Sequence, residues 1–280
     1  MTGSITVVGI GPGDLAHMTP AAREAVETAD IILGYRTYLR LIASLAPAVA
    51  REPSGMRQEV SRAQRAVELA RAGRRVALIS GGDAGIYGMS GLVYEVLREQ
   101  EENSTKWPLG SDHVVSPAGP ESAPTVEVVP GISALNAAAS LLGAPLMTDF
   151  ATVSLSDHLV SCADIIRRVE LAAQADFVLC LYNPKGRNRS EPFRLACEAL
   201  ARHRRPDTPV GIVRSAYRAG QRAQIVRLRE LPAADIDMFT IVIVGNSQTA
   251  VYGGKLLTPR GYAGKYDLGE REEPDTDASA

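Results

Sequence analysis

Short apolar runs alternate with amphipathic stretches along most of this chain. The first run, residues 5–10, is rich in β-branched side chains and ends in a glycine-rich turn, which is typical of a buried parallel strand. Thr19 and Pro20 then predict a helix start, with Thr19 as N-cap and Pro20 at the first helical position. Apolar runs at 31–34 and 76–80 each precede or follow a helical stretch. This alternation predicts a parallel α/β domain.

A stretch without periodicity interrupts the pattern at about residues 100–124. It is rich in Glu, Ser, Pro and Gly, and it predicts a surface insertion. The strand and helix pattern resumes beyond it. We therefore predict an N-terminal α/β lobe over 1–125, which carries the insertion, and a C-terminal α/β lobe over 126–268. The acidic tail, 269–280, has no large apolar residue and is predicted to be disordered.

Charge and composition narrow the classes of partner. Lys and Arg total 30 against 32 Asp and Glu, a net charge of −2, so no basic excess points to nucleic acid. No run approaches the roughly 18 apolar residues that a membrane span needs. The start lacks a secretory signal pattern, and the three scattered cysteines fit a reducing compartment rather than disulfides or a metal site. We expect a cytoplasmic protein without a bound metal.

The first glycine loop, residues 9–14, invites comparison with the dinucleotide-binding fingerprint. That fingerprint needs a third glycine where Asp14 stands, and Pro12 removes one backbone donor from the turn. A carboxylate beside a pyrophosphate would be repulsive. The loop therefore favours a neutral or cationic ligand over NAD, although a tight strand-to-helix turn without any ligand is an alternative.

Two further loops follow predicted strands. Residues 81–88 hold four glycines, which let the main chain approach a ligand, and Asp83 places a carboxylate at a strand end. The alternative role for Asp83 is a helix N-cap. In residues 129–136, Ser133 is predicted to cap a helix whose small side chains permit close packing against a sheet or a flat ligand.

Together, the strings VVGIGPGD, SGGDAGIYGM and VPGISALNAAASLLGAPL resemble the tetrapyrrole (corrin/porphyrin) methylases. The resemblance extends through YNP at 182–184, PVGIVRSAYRAGQ and FTIVIVGNS, and so covers most of residues 3–250. It implies the two-lobed class III α/β methyltransferase fold, a homodimer, and S-adenosylmethionine bound in a cleft between lobes, with S-adenosylhomocysteine as product. Within the family the chain looks most like the branch that methylates C17 of precorrin-3B, with ring contraction to precorrin-4, in cobalamin biosynthesis.

Matching position by position, the resemblance implies a set of cofactor-binding residues, namely Pro12, Gly81, Gly82, Asp83, Ile86, Ser133, Ala134, Tyr182 and Ala216. The chain departs from the family pattern at Ala84, where many members have proline. It also has Tyr35 and Arg36 where some uroporphyrinogen methylases place an acidic residue, so a role for that acid does not transfer.

The expected reaction needs an enzyme that holds the reacting atoms in line more than one that supplies a nucleophilic side chain. A sulfonium methyl is already electrophilic, and a reduced pyrrole carbon is already nucleophilic. Ring contraction also needs an acid or hydrogen-bond donor, for which the candidate catalytic residues are Tyr35, Arg36 and Tyr217. The substrate carries many carboxylates, which arginine binds well. The candidate substrate-binding residues are Arg36, Arg187, Arg189 and Arg214, with a solvated loop as the alternative role of Arg187 and Arg189.

Three alternatives stay open at the level of sequence. A sister enzyme of the family would methylate C11, C20 or C2, or a diphthamide or ribosomal RNA target. The same C17 step could instead use the cobalt-loaded substrate, although the lack of a Cys or His motif favours the metal-free one. From a different class, a dinucleotide-binding oxidoreductase or a nucleotide sensor could carry similar loops.

Overall fold

The computed structural model describes residues 3–104, 123–186 and 188–269. The chain divides into two compact units, the first Met1–Ala138 with Ser215–Arg222 and the second Ala139–Arg214 with Ala223–Ala280. Residues 105–122 of the expected insertion, residues 270–280 of the expected tail, and Arg187 lie outside the described residues.

The first unit contains a five-stranded, all-parallel sheet in the order β3-β2-β4-β1-β5. Its strands are β1 Ser4–Gly9, β2 Ile31–Tyr35, β3 Ala50–Ser54, β4 Arg75–Ser80 and β5 Thr125–Val129. Alternate side chains of β1 enter different apolar clusters, with Ile5 and Val7 in one and Val8 in the other. The sheet is therefore buried on both faces, as its nearly continuous apolar strands predict.

Helices connect these strands. They are α1 Pro20–Glu27, α2 Arg36–Leu41, α3 Glu59–Arg71 and α4 Ser90–Ser104, and a further helix, α5 Ala134–Leu142, follows the last strand, β5. The predicted start of α1 is confirmed, because Thr19 Oγ1 accepts a hydrogen bond from Ala22 N at 3.1 Å and Pro20 follows it. Strand β3 and helix α2 were not predicted, since β3 is largely polar and α2 has only six residues.

The units divide later in the sequence than the expected boundary at residue 125. Strand β5, which that boundary assigned to the second lobe, pairs in parallel with β1 from Ser4–Thr125 to Val8–Val129. The segment Ser215–Arg222 also belongs to the first unit, although it comes from the second half of the chain. Periodicity along a sequence cannot reveal a strand partner more than 100 residues away, and so it placed the boundary at the insertion.

The second unit contains another five-stranded sheet, in the order β10-β9-β11-β8-β7. Its strands are β7 Phe150–Ser154, β8 Val178–Tyr182, β9 Pro209–Arg214, β10 Arg222–Arg227 and β11 Thr240–Val244. Here β11 runs antiparallel to both β8 and β9, so this sheet is mixed rather than a continuation of the parallel pattern. The 3-10 helix Leu228–Ala233, instead of a full crossover helix, precedes β11.

Two helices, α6 Cys162–Gln174 and α7 Glu191–His203, pack on this mixed sheet around Phe193, Leu181 and Val242. A small third sheet joins β6 Gly143–Ala144, β12 Ala250–Tyr252 and β13 Lys255–Leu257. Short 3-10 helices lie at Leu15–His17 and Tyr262–Gly264. Within the described ranges, no helix is long and apolar enough to cross a lipid bilayer.

Candidate active site

The three glycine loops meet at one edge of the first unit's sheet. Strands β4, β1 and β5 are parallel neighbours, so their carboxyl ends lie side by side. Gly11 and Gly82 exchange two backbone hydrogen bonds, of 3.0 and 2.9 Å, which join the first loop to the second. The carboxyl ends of these three strands therefore bring the loops together within this unit.

Glycine is needed where the loops cross. A Cβ at Gly131 would lie 2.3 Å from the carbonyl oxygen of Gly82 and 2.5 Å from that of Gly9. A Cβ at Gly9 would in turn lie 2.7 Å from the backbone nitrogen of Gly131. Backbone atoms on both sides cannot move aside as a flexible side chain would. Loop-to-loop packing thus accounts for the glycines at positions 9 and 131 without a ligand.

The carboxylate of Asp83 joins the second loop to the third. Its Oδ1 accepts hydrogen bonds from the backbone N–H groups of Gly85 and Ile86, at 2.8 and 3.1 Å. Its Oδ2 accepts from Gly131 N at 3.0 Å. Helix α4 begins at Ser90, so the alternative role of Asp83 as N-cap of that helix is wrong. Asp83 organises the loops through three backbone donors.

Two other cofactor candidates on these loops differ in exposure. Ser133 is buried and accepts from Asn136 N at 3.2 Å, which confirms that it caps α5. Ile86, by contrast, exposes 39% of its surface at the rim of the second loop. The second loop therefore presents an apolar side chain beside main-chain groups, a combination suited to a ligand with both apolar and polar parts.

The segment Ser215–Arg222 closes over the first loop. Arg218 Nε donates a hydrogen bond to the carbonyl oxygen of Pro12, and its guanidinium carbon lies 5.8 Å from the centre of the Tyr38 ring. A Cβ at Gly13 would lie 2.5 Å from Arg218 Nε, and one at Gly81 would lie 2.5 Å from Tyr38 Cζ. Gly13 and Gly81 thus make room for side chains of the protein itself.

Burial shifts the pKa values of both Tyr38 and Arg218. Desolvation raises the pKa of Tyr38 above its usual range, and the nearby Arg218 only partly offsets this. Desolvation likewise lowers the pKa of Arg218, with Tyr38 the only group that opposes it. A second buried cation, Arg62, donates to Ser54 Oγ at the end of β3 and to the following Gly55 O, and burial lowers its pKa also.

His17 and Tyr217 form an aromatic pair beside the first loop. Their ring centres are 4.0 Å apart at an interplanar angle of 34°. His17 Nδ1 is buried and has no hydrogen-bond partner among the residues that the structure describes. The sequence indicated Tyr217 but not His17, Tyr38 or Arg218, because only the fold brings residues 17, 38 and 217–218 together.

The remaining candidates of the first unit lie at the end of β2. Tyr35 is partly buried and makes an edge-to-face contact with Tyr38, with ring centres 5.4 Å apart. Arg36 begins α2 and is exposed. Nearly all of the predicted cofactor residues also belong to this unit, namely Pro12, Gly81, Gly82, Asp83, Ile86, Ser133, Ala134 and Ala216.

Three candidates lie in the second unit. Tyr182 is buried at the end of β8. Arg189 donates to the carbonyl oxygens of Leu155 and Asn183, and thereby fixes the loop after β8 instead of lying in solvent. Arg214 pairs with Asp237 at 2.8 Å. Burial alone would raise the pKa of Asp237, but hydrogen bonds led by that from Arg214 lower it. Both guanidinium groups therefore already have protein partners.

Comparison with known proteins places the chain in a family. The model of the tetrapyrrole (corrin/porphyrin) methylases matches residues 4–232. The chain is a tetrapyrrole methylase. This membership confirms the resemblance and the α/β class III fold inferred from the sequence, and it removes support from the dinucleotide-binding alternative.

Individual tetrapyrrole methylases are similar over most of this chain. A protein of Priestia megaterium named cobalt-factor III methyltransferase is 47% identical over 98% of the chain and 48% of its own length. A Salmonella typhimurium protein named probable cobalt-factor III C(17)-methyltransferase is 43% identical over 92% of the chain and 99% of its own length. The chain thus spans about half of the first relative and nearly all of the second.

A solved structure shares the fold. The crystal structure of the methyltransferase CobJ has a TM-score of 0.78 and 33% identity, and the match covers 92% of this chain and 100% of that one. Family, relatives and structure all describe methyltransferases, so this tetrapyrrole methylase has the fold and the loop arrangement of an enzyme class that transfers methyl groups.

Proposed function

We propose that this chain transfers a methyl group from S-adenosylmethionine to C17 of a corrin-pathway tetrapyrrole, with contraction of the ring. The observation that carries the proposal is the meeting of the three family loops, held by the Gly11–Gly82 and Asp83–Gly131 hydrogen bonds, in a chain similar to relatives named for C17 methylation. The Salmonella typhimurium relative, 43% identical over 92% of the chain, is named for C(17) methylation, which favours C17 over a sister activity at C11, C20 or C2.

The residues at these loops suit S-adenosylmethionine. Ile86 offers an exposed apolar contact beside the glycine-rich main chain of the second loop. Asp83 contributes a carboxylate on the second loop, and both of its oxygens already accept hydrogen bonds from backbone N–H groups. Pro12, Gly81, Gly82, Ser133, Ala134, Tyr182 and Ala216 complete the proposed binding set. When bound, the cofactor supplies an electrophilic methyl group on a cationic sulfur.

The protein's part is to hold the reacting groups in line and to move a proton. Loops joined by hydrogen bonds suit the first task, since positioning alone can supply roughly 7–11 kcal/mol of a barrier. For the second, we propose that His17 Nδ1 holds the proton beside Tyr217, because it is buried and lacks a partner among the described residues. Tyr35 and Arg36 stay candidates for assisting ring contraction.

The metal content of the substrate is a separate choice. Both relatives described above are named for cobalt-factor III, at 47% and 43% identity. We therefore propose the cobalt-loaded form as the preferred substrate, in place of the metal-free form that the sequence favoured. We also propose, from the family resemblance, a homodimer that acts in the cytoplasm. Light scattering on a sizing column tests the dimer.

The test of this function is mass spectrometry of reaction mixtures. The protein is incubated with S-adenosylmethionine and either cobalt-factor III or precorrin-3B, and the products are examined for added methyl groups and for their absorbance spectrum. We expect one added methyl and a contracted-ring spectrum, faster with the cobalt form. One added methyl without contraction would indicate a sister activity, and no transfer to either compound would refute the proposal.

A further inference from the structure

Arg218 has an unusual set of partners for a half-buried arginine. Its Nε donates to Pro12 O, whereas Nη1 and Nη2 form no hydrogen bond or ion pair with residues 3–104, 123–186 or 188–269. Other arginines of the first unit use their terminal nitrogens: Arg65 and Arg75 bind the carboxylates of Glu52 and Asp30, and Arg62 Nη2 donates to Gly55 O. Among the described residues, the N–H groups on Nη1 and Nη2 of Arg218 therefore have no hydrogen-bond acceptor.

The surroundings of Arg218 disfavour an unpaired cation. Desolvation lowers its pKa, and its charged group faces the Tyr38 ring and the first loop instead of an acidic side chain. A buried charge without a counter-ion costs free energy unless a ligand supplies one. The ring of Tyr38 offsets part of this cost, since a cation near an aromatic face is weakly attracted to it.

The orientation of the guanidinium is fixed by its contacts. Nε is held by Pro12 O on the first loop, and the stem packs where a Cβ at Gly13 would stand. Tyr38 in turn packs where a Cβ at Gly81 would stand, on the second loop. With Nε used, the edge formed by Nη1 and Nη2 is the one left for two parallel hydrogen bonds, the arrangement by which arginine binds a carboxylate.

We propose that the Nη1–Nη2 edge of Arg218 binds a carboxylate of the enzyme's ligand. The inference rests on the proposed function, which brings two carboxylate sources to these loops. One is the methionyl carboxylate of S-adenosylmethionine, and the other is a peripheral carboxylate of the tetrapyrrole. Arg218 lies next to the first loop and, through Tyr38, next to the second, so it stands beside two of the loops proposed to bind the cofactor.

The experiment pairs two proteins with two kinds of ligand. Wild type and Arg218→Gln are titrated with S-adenosylhomocysteine and with its decarboxylated analogue, and separately with cobalt-factor III and with its methyl ester. If Arg218 binds the methionyl carboxylate, R218Q should weaken S-adenosylhomocysteine about 10- to 100-fold and leave the decarboxylated analogue unchanged. If it binds the macrocycle, the same pattern should appear for cobalt-factor III and its ester.

Arg71→Gln is the matched control, because Arg71 is an exposed arginine in the last turn of α3. It should leave every affinity unchanged. Arg218→Lys provides a second variant if R218Q fails to fold; it keeps the charge but not the two-bond geometry, and should weaken the charged ligand partially. Melting temperatures of all variants identify a loss caused by unfolding.

The proposal is overturned if a folded Arg218 variant loses affinity equally for the charged and the uncharged ligands. That pattern would mean that Arg218 only holds the first loop in place through its hydrogen bond to Pro12 O. It is also overturned if neither ligand changes affinity. A failure of the proposed function is distinguishable: binding that depends on Arg218 and on the ligand's carboxylate, without any methyl transfer, would leave this inference standing and refute the activity.

Discussion

Asp83 Oδ2 accepts a hydrogen bond from the backbone N–H of Gly131 at 3.0 Å, across 48 residues of sequence. The same carboxylate holds Gly85 and Ile86 through its other oxygen. One side chain therefore sets the distance between the second and third loops and the shape of the second. The geometry of the proposed cofactor site depends on this carboxylate even without direct contact to the cofactor.

Replacing Asp83 with asparagine should loosen the loops. An amide NH₂ would face a backbone N–H in place of one carboxylate oxygen, and a buried donor left without an acceptor costs about 1–3 kcal/mol. We expect a lower melting temperature and roughly tenfold or greater weakening of S-adenosylhomocysteine, measured by calorimetry. Asp14→Asn is the control: among the described residues Asp14 Oδ1 accepts a hydrogen bond from Ala16 N alone, which an amide oxygen can also accept. Equal behaviour of the two variants would contradict this role.

Gly131→Ala should damage folding more than most glycine substitutions. The new methyl group would clash with two carbonyl oxygens, those of Gly82 and Gly9, and the backbone that carries them cannot move away as a flexible side chain can. We expect a loss of about 3 kcal/mol in the free energy of unfolding, measured in urea. The matched control is Gly91→Ala in α4, where a Cβ meets nothing within 4 Å. That change should stabilise the protein by about 0.5–1 kcal/mol.

His17→Phe tests the proposed proton carrier. The phenyl ring can still pack against Tyr217, but it cannot hold a proton. If His17 Nδ1 carries the proton, kcat should fall by about 10²–10⁴ and the pH–rate profile should lose one limb, with little change in the affinity for S-adenosylhomocysteine. His158→Phe, at an exposed position, should retain the wild-type profile. An H17F enzyme with an unchanged pH–rate profile would exclude His17 from proton transfer.

Thiol chemistry should single out Cys162. Burial raises the pKa of Cys180 to about 12 and that of Cys197 to about 12, so both stay protonated and unreactive at pH 8. Cys162, at the start of α6, is only partly buried. A disulfide reagent at pH 8 should react with one thiol in the native protein and with three in urea. Rapid reaction of a second thiol in native Cys162→Ser protein would contradict the burial of the pair.

Local patterns in the sequence predicted most of the parallel strands of the first unit and the start of its first helix. The β-branched runs gave β1, β2 and β4, and the Thr19–Pro20 pair gave the start of α1. The family strings identified the loops that the fold joins. Strand β3 was not predicted because its residues are mostly polar. Strand β5 was assigned to the C-terminal lobe because its partner, β1, is over 100 residues away in the sequence.

The site was harder to predict than the fold because its contacts are long-range. Gly81 was predicted to make room for a cofactor, whereas the Tyr38 side chain stands where its Cβ would be. Arg218 was not selected, although its neighbours Ala216 and Tyr217 were, since nothing in the local sequence shows that it bonds to Pro12. Arg189 and Arg214 were chosen as candidate substrate-binding residues, and their protein partners become evident only in three dimensions.

The position of the transferred methyl group on the tetrapyrrole decides whether this enzyme methylates C17. The protein is incubated with cobalt-factor III and S-adenosylmethionine labelled with ¹³C in the methyl group, and the product is examined by NMR. We expect a single new labelled methyl resonance that correlates with C17 of the contracted ring. Label at C11, C20 or C2, or no incorporation into the tetrapyrrole at all, would contradict C17 methylation.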